Sequence, residues 1–187
     1  PDLPFGITNA SLTVIKNVVY LSGGEVLSGA RNEFLSLNLK DTTQGWKTLA
    51  NLPQATSHAV LLGNEKTDQV YLIGGRCKKI EEVSEIYNTF LTYDIKNNFW
   101  KEMPSLPFPL SAASGIMNGD DILVFSGDIG ETFNKAEKLI IAIKQEQDEQ
   151  KKEVLNKKKI EVQSSHPGFS REVLKYNLFS NKWTVLK

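Results

Sequence analysis

Little in this chain could staple or anchor it. Cys77 is the single cysteine among 187 residues, which excludes an intrachain disulfide framework. With no histidine evident as its partner, it reads as a small half-buried thiol rather than a nucleophile. There is no excess charge of either sign: Lys plus Arg and Asp plus Glu both number 22. The balance therefore gives no reason to expect a nucleic acid or an anionic membrane as partner. Apolar runs reach only about five residues, far short of the ~20 that span a bilayer. Histidine is scarce, and His58 and His166 lie far apart with no partner at metal-ligand spacing. A Gly-rich phosphate loop and a nucleophile elbow are both missing, so no metal or other cofactor is expected. No signal peptide is visible and residue 1 is Pro rather than Met, which suggests a processed or cut N-terminus.

What the chain does contain is repetition. A hydrophobic strand running into a glycine pair occurs as Val18-Val19-Tyr20-Leu21-Ser22-Gly23-Gly24 and as Val70-Tyr71-Leu72-Ile73-Gly74-Gly75. A third copy, Ile122-Leu123-Val124-Phe125-Ser126-Gly127, keeps only the second glycine. A tryptophan closes each unit, seven residues after an anchor: Leu39 to Trp46, Tyr93 to Trp100, Tyr176 to Trp183. Internal repetition at this period fixes an architecture before any single residue is interpreted. Alternation and turn residues place four short strands in each unit, the second nearly all apolar and buried on both faces. Asn118-Gly119-Asp120 is a tight-turn signal between the first two strands of the third unit. The recurring Leu3-Pro4, Leu52-Pro53 and Leu106-Pro107 carry the chain between units without continuing a ladder. Three units are expected, at about 5–53, 54–107 and 108–187.

The third unit is longer than the others by about thirty residues between its glycine and its Trp, an insertion at about 131–168. Phe133, Ala136, Ile140 and Ile143 fall at helical intervals. From Lys144 to Lys159 the insertion is almost entirely charged or amide. That stretch reads as a solvated helix or flexible loop, with a lid or interface element as the sharper alternative. Polar side chains gather just after the glycine pairs: Glu25, Arg31, Arg76, Asp128 and Glu131. Loops at equivalent points of successive units converge on one pocket.

This pattern resembles the kelch repeat, the blade of an all-β propeller, over essentially the whole chain. The resemblance implies three four-stranded antiparallel blades, half of a six-bladed ring, since three blades do not close. Exposed blade faces call for further blades, from the same longer protein or from a second chain. Gly24-Glu25-Val26-Leu27-Ser28-Gly29-Ala30-Arg31 is similar to the Gly-Glu-x-x-x-Gly-x-Arg segment of the N-acetylneuraminate (sialic acid) mutarotases, also called epimerases. Gly127-Asp128-Ile129-Gly130-Glu131-Thr132-Phe133-Asn134 with its insert resembles that family's inserted blade. His166-Pro167-Gly168-Phe169-Ser170-Arg171 is similar to a segment of its cyclically permuted branch. The resemblance implies interconversion of the sugar's α and β anomers by acid/base ring opening in an extracytoplasmic, periplasmic setting. By motif match Glu25 is the proton acceptor, and Arg31 binds the sugar carboxylate bidentately within reach of Glu25. Arg76, Asp128, Glu131 and Arg171 are expected at the pocket rim from loop position. A non-catalytic kelch propeller that binds protein or carbohydrate stays open as the alternative, because fold does not dictate function.

Overall fold

Each of the three units folds as a four-stranded antiparallel sheet in the computed structural model, which describes residues 1–186. In blade one these are β1 (Ser11–Ile15), β2 (Val18–Ser22), β5 (Phe34–Asn38) and β6 (Lys47–Thr48), with a small hairpin of β3 (Glu25–Val26) and β4 (Gly29–Ala30) beyond the glycine pair. Blade two has β7 (Val60–Asn64), β8 (Gln69–Ile73), β11 (Phe90–Asp94) and β12 (Phe99–Met103), with the hairpin β9 (Arg76–Cys77) and β10 (Glu85–Ile86). Blade three has β13 (Ser114–Asn118), β14 (Asp121–Phe125), β15 (Val173–Asn177) and β16 (Lys182–Leu186). Helices α1 (Glu131–Gln145) and α2 (Glu149–Ser164) take the place of its hairpin. The first strands of successive blades lie against one another, β1 on β7 and β7 on β13, and so form the inner wall of the arc.

The core lies between blades rather than within them. Tyr20, Phe34, Leu72 and Tyr93 fill the space between blades one and two. Tyr71, Phe90, Leu174 and Tyr176 fill the space between two and three. Each aromatic anchor meets the phenylalanine of the preceding blade edge-on, Phe34 to Tyr93 and Phe90 to Tyr176, both at 4.8 Å, the arrangement that ring quadrupoles favour. Trp100 and Trp183 add an indole N–H that crosses to the preceding blade, donating to the Ala50 carbonyl at 3.0 Å and the Pro104 carbonyl at 2.7 Å.

Blade one departs from the expected pattern at its anchor. Tyr93 stands opposite Val70 and Trp100, and Tyr176 opposite Ile122 and Trp183. The residue opposite Val19 is Leu37, which is buried, whereas Leu39 is half exposed. The shared seven-residue interval does not mark equivalent positions there, because a 3₁₀ turn at Thr42–Gln44 lengthens the connection. Trp46 precedes β6 instead of lying in it, and its buried Nε1 has no hydrogen-bond partner among the described residues. The third blade's first strand starts only at Ser114, because Ala112 just before it has a φ of 53°, left-handed and incompatible with a strand.

Two glycine pairs are explained by one close approach each. A Cβ on Gly23 would sit 1.9 Å from the Thr56 carbonyl oxygen, and one on Gly74 would sit 2.2 Å from that of Leu110. Those carbonyls accept the next N–H along, from Gly24 and Gly75, at 2.8 Å each. The segment entering each new blade is thereby stitched to the blade before it.

The insertion is a helical hairpin. Asp148 caps α2 by accepting from the Gln150 and Lys151 N–H groups, as N-cap carboxylates do. No α2 side chain is buried, so the charged run is a solvated helix. Helix α1, by contrast, is docked: it buries Ala136, and Glu137 accepts from the Ser84 N–H at 2.5 Å and the Ser84 hydroxyl at 3.0 Å.

Candidate active site

The segment leading into each first strand makes one antiparallel bridge to the residue after the glycine pair: Thr8 to Glu25, Ser57 to Arg76, Ser111 to Asp128. Glu25, Arg76 and Asp128 are thus equivalent residues at the inner ends of successive blades. The residue after each bridge has positive φ: Asn9 at 56°, His58 at 54°, Ala112 at 53°. These three are linked in a row by His58 N–H to the Asn9 carbonyl and Ala112 N–H to the His58 carbonyl. One turn of backbone, repeated, therefore delivers side chains from adjacent blades to a common place.

Where blades one and two meet, that place holds four polar groups. Glu25 as a residue is 6 % exposed. Its Oε1 accepts from the Ser57 hydroxyl at 2.6 Å, from Arg76 Nε at 3.1 Å, and lies 3.0 Å from a second Arg76 guanidinium nitrogen. His58 Nδ1 lies 3.1 Å from Ser57 Oγ and 3.5 Å from Glu25 Oε1. All of these contacts fall on Oε1, which leaves Oε2 for another partner. Burial pushes the Glu25 carboxyl up, but the Ser57 hydrogen bond and the nearby Arg76 and His58 together hold it below its ordinary value. The His58 imidazole is held below its ordinary value by burial first and by Arg76 second, against an opposing pull from Glu25. Arg76 is fixed on its far side by the insertion, with its guanidinium 4.7 Å from the centre of the Phe133 ring, a cation–π distance.

Arg31 does not join this group. Its side chain grips Glu33 bidentately, Nε donating at 2.8 Å and a terminal nitrogen donating to the other carboxylate oxygen, and it covers the Phe5 ring at 4.5 Å. The expected Glu25–Arg31 pair is replaced by Glu25–Arg76. Asp128, Glu131 and Arg171 line a different cleft, together with Phe108, His166 and Phe169. There Asp128 accepts from the Gly130 N–H at 2.7 Å, and His166 Nε2 lies 3.6 Å from its other oxygen. His166 Nδ1 accepts the Gly168 N–H at 2.9 Å, so in the neutral ring the proton sits on Nε2 and faces Asp128. The expected rim residues thus divide into two groups, Arg76 in the first and the other three in the second.

Ser57 and His58 were missed from sequence because His58 has no partner at ligand spacing. The signal was in the repeat: Ser57-His58 aligns with Thr8-Asn9 and Ser111-Ala112, one residue pair before each first strand.

Sheets joined through their first strands, with an inter-blade aromatic core and polar groups at the inner ends, define a partial kelch-type β-propeller. The solved structure of YjhT superimposes on the chain with a TM-score of 0.80 at 17% identity, covering 100% of this chain and 52% of that one. The family profile of N-acetylneuraminate epimerase matches residues 1–186, and the chain belongs to that family. It is 26% identical over 184 residues to the N-acetylneuraminate epimerase of Haemophilus influenzae strain PittEE, covering 98% of this chain and 47% of that protein. It is also 28% identical over 145 residues to a kelch domain-containing protein of Vibrio cholerae, covering 72% of this chain and 37% of that protein. The chain spans about half the length of the epimerase it matches.

Proposed function

We propose that the whole protein, of which this chain carries three blades, interconverts the anomers of N-acetylneuraminic acid or a close relative. The blades beyond these three belong to the same longer protein or to a second chain, and the family relationship supports an extracytoplasmic setting. The observation that carries the reading is the Glu25 carboxylate, buried at the inner end of blade one with Oε1 fully engaged and Oε2 open. A protein-docking surface has no need of a buried ionised acid fixed by three neighbours. A sugar that opens its ring through proton transfer does, because the base must meet the anomeric hydroxyl at a set distance and angle. Glu25 Oε2 takes that proton, and the Ser57 hydrogen bond together with Arg76 keeps the carboxylate ionised. Arg31 can receive the sugar's carboxylate by exchanging it for Glu33, one bidentate partner for another. Asp128, Glu131 and Arg171 supply polar contacts from the neighbouring cleft.

Anomer exchange of N-acetylneuraminate followed by NMR in the full-length protein tests this. Glu25→Gln should slow exchange about 10²–10⁴-fold with the fold unchanged. An unchanged rate in that variant would remove Glu25 from the chemistry.

A further inference from the structure

Ring opening needs two proton transfers, one from the anomeric hydroxyl and one to the ring oxygen, and Glu25 accounts for the first alone. We propose that His58 is the acid partner of Glu25, its Nε2–H donating to the ring oxygen while its Nδ1–H joins it through the Ser57 hydroxyl to the Glu25 carboxylate. This rests on the mutarotase reading and names a catalytic residue that the Gly-Glu-x-x-x-Gly-x-Arg segment does not contain.

The geometry fixes the direction of each hydrogen bond. Ser57 Oγ has one proton and two acceptors within reach, the ionised Glu25 oxygen at 2.6 Å and the Arg76 carbonyl at 3.3 Å, and the shorter, charge-assisted contact takes it. The 3.1 Å contact between Ser57 Oγ and His58 Nδ1 must then be donated by the ring, so Nδ1 carries a proton. His58 Nε2 makes no hydrogen bond to the protein among the described residues, and the same holds for Glu25 Oε2. The relay thus ends in two open atoms, a carboxylate oxygen and an imidazole nitrogen, held by one serine. Anomeric hydroxyl and ring oxygen sit on the same carbon, so a base and an acid on side chains that approach to 3.5 Å can serve both.

The step balances without any outside reagent. With Glu25 ionised and His58 as imidazolium, the anomeric O–H proton moves to Glu25 Oε2. The bond between the anomeric carbon and the ring oxygen breaks, its electron pair going to the ring oxygen, which takes the proton from His58 Nε2. The open-chain keto sugar is left with neutral Glu25 and neutral His58. After rotation about the bond next to the carbonyl, His58 Nε2 takes the hydroxyl proton back, Glu25 protonates the carbonyl oxygen, and the ring closes as the other anomer. The starting protonation state returns.

The charged groups that face His58 are Glu25 and Arg76, with Lys78 lining the mouth beside Glu25. Burial first and Arg76 second keep the imidazole neutral in the empty site near neutral pH. The arriving sugar carboxylate favours the imidazolium, as an opposite charge within a few ångströms does. The rate of the free enzyme should therefore climb as pH falls through the lowered His58 range, below 6.5.

His58→Asn is the informative variant, because Asn9 already occupies the equivalent left-handed position in blade one at φ 56°. In the full-length protein, kcat/KM for anomer exchange should fall about 10²-fold and lose its rise toward acid pH. Ser57→Ala should shift the profile while retaining more activity than His58→Asn. Unchanged rate and profile in His58→Asn would overturn the proposal. A wild-type protein inert toward N-acetylneuraminate would instead count against the mutarotase reading, and nitrogen-15 NMR of His58 judges the relay without substrate. Neutral His58 should show the Nδ1–H tautomer, and its titration should move in Glu25→Gln. An Nε2–H tautomer, or a titration indifferent to Glu25→Gln, would overturn the relay.

Discussion

At one equivalent residue, blades one and three both carry a carboxylate, and the two are treated differently. Glu25 is buried and held by side chains from the next blade and from the segment leading into it: Arg76, Ser57 and His58. Asp128 is more open and finds its partners within its own blade, the Gly130 N–H and the His166 ring. The backbone position is shared, so the contrast comes from what the adjoining blade presents. A repeat supplies the place, and the seam between blades supplies the environment.

Substituting the two carboxylates in parallel puts the largest effect on that contrast. Glu25→Gln should lower anomer exchange by about 10²–10⁴, while Asp128→Asn should act mainly on KM; NMR exchange kinetics on both variants reads this directly. Equal losses in kcat would dissolve the distinction between a buried base and a rim contact.

The glycine positions sharpen the same comparison. Gly74→Ala places a Cβ against the Leu110 carbonyl at φ 61° and should destabilise by about 3 kcal/mol or more, combining backbone strain with overpacking. Ser126 occupies the corresponding position in blade three at φ 61°. Ser126→Gly should relieve strain and raise stability by about 1 kcal/mol. Urea unfolding of each variant gives the two numbers, and effects of the same sign would contradict the stitching role assigned to Gly74.

A smaller effect lies at the insertion. Phe133→Ala removes the shelf under Arg76, an interaction worth about 0.5–2 kcal/mol, and should raise the Glu25 carboxyl toward its ordinary value. Carbon-13 titration of Glu25 measures it. No movement there would make α1 a bystander to the site despite the Ser84–Glu137 anchor.

The pH dependence of stability is the mildest test. Both Glu25 and His58 titrate lower in the folded chain than their ordinary values of 4.5 and 6.5. In each case the unfolded chain binds more protons across the interval, so stability rises with pH there. The unfolding midpoint should therefore decline as pH falls below 6.5, and decline again below 4.5. The lower step should be absent in Glu25→Gln.

Much of the fold was legible because its signals are local. Strand alternation, glycine pairs and a recurring Trp each report a short stretch of chain, and together they predicted three four-stranded sheets and a helical start to the insertion. What spacing alone misjudged was register. Leu39 to Trp46 has the right interval, yet Leu37 stands opposite Val19, because a count of residues cannot separate ladder from turn.

The site shows the same division. The sequence by itself settled that Glu25, Arg76 and Asp128 follow the glycines of successive blades, since that is a property of the repeat. Only the tertiary structure decided who pairs with whom. Arg31 and Glu33 are two apart in the chain, and their side chains satisfy each other. Glu25 is left to meet Arg76 across the seam, 51 residues away in the chain. Ion pairing is settled by distance in space, and between blades that distance is set by the packing of Phe34 and Tyr93 and by the stitched carbonyls of Thr56 and Leu110, which no single repeat encodes.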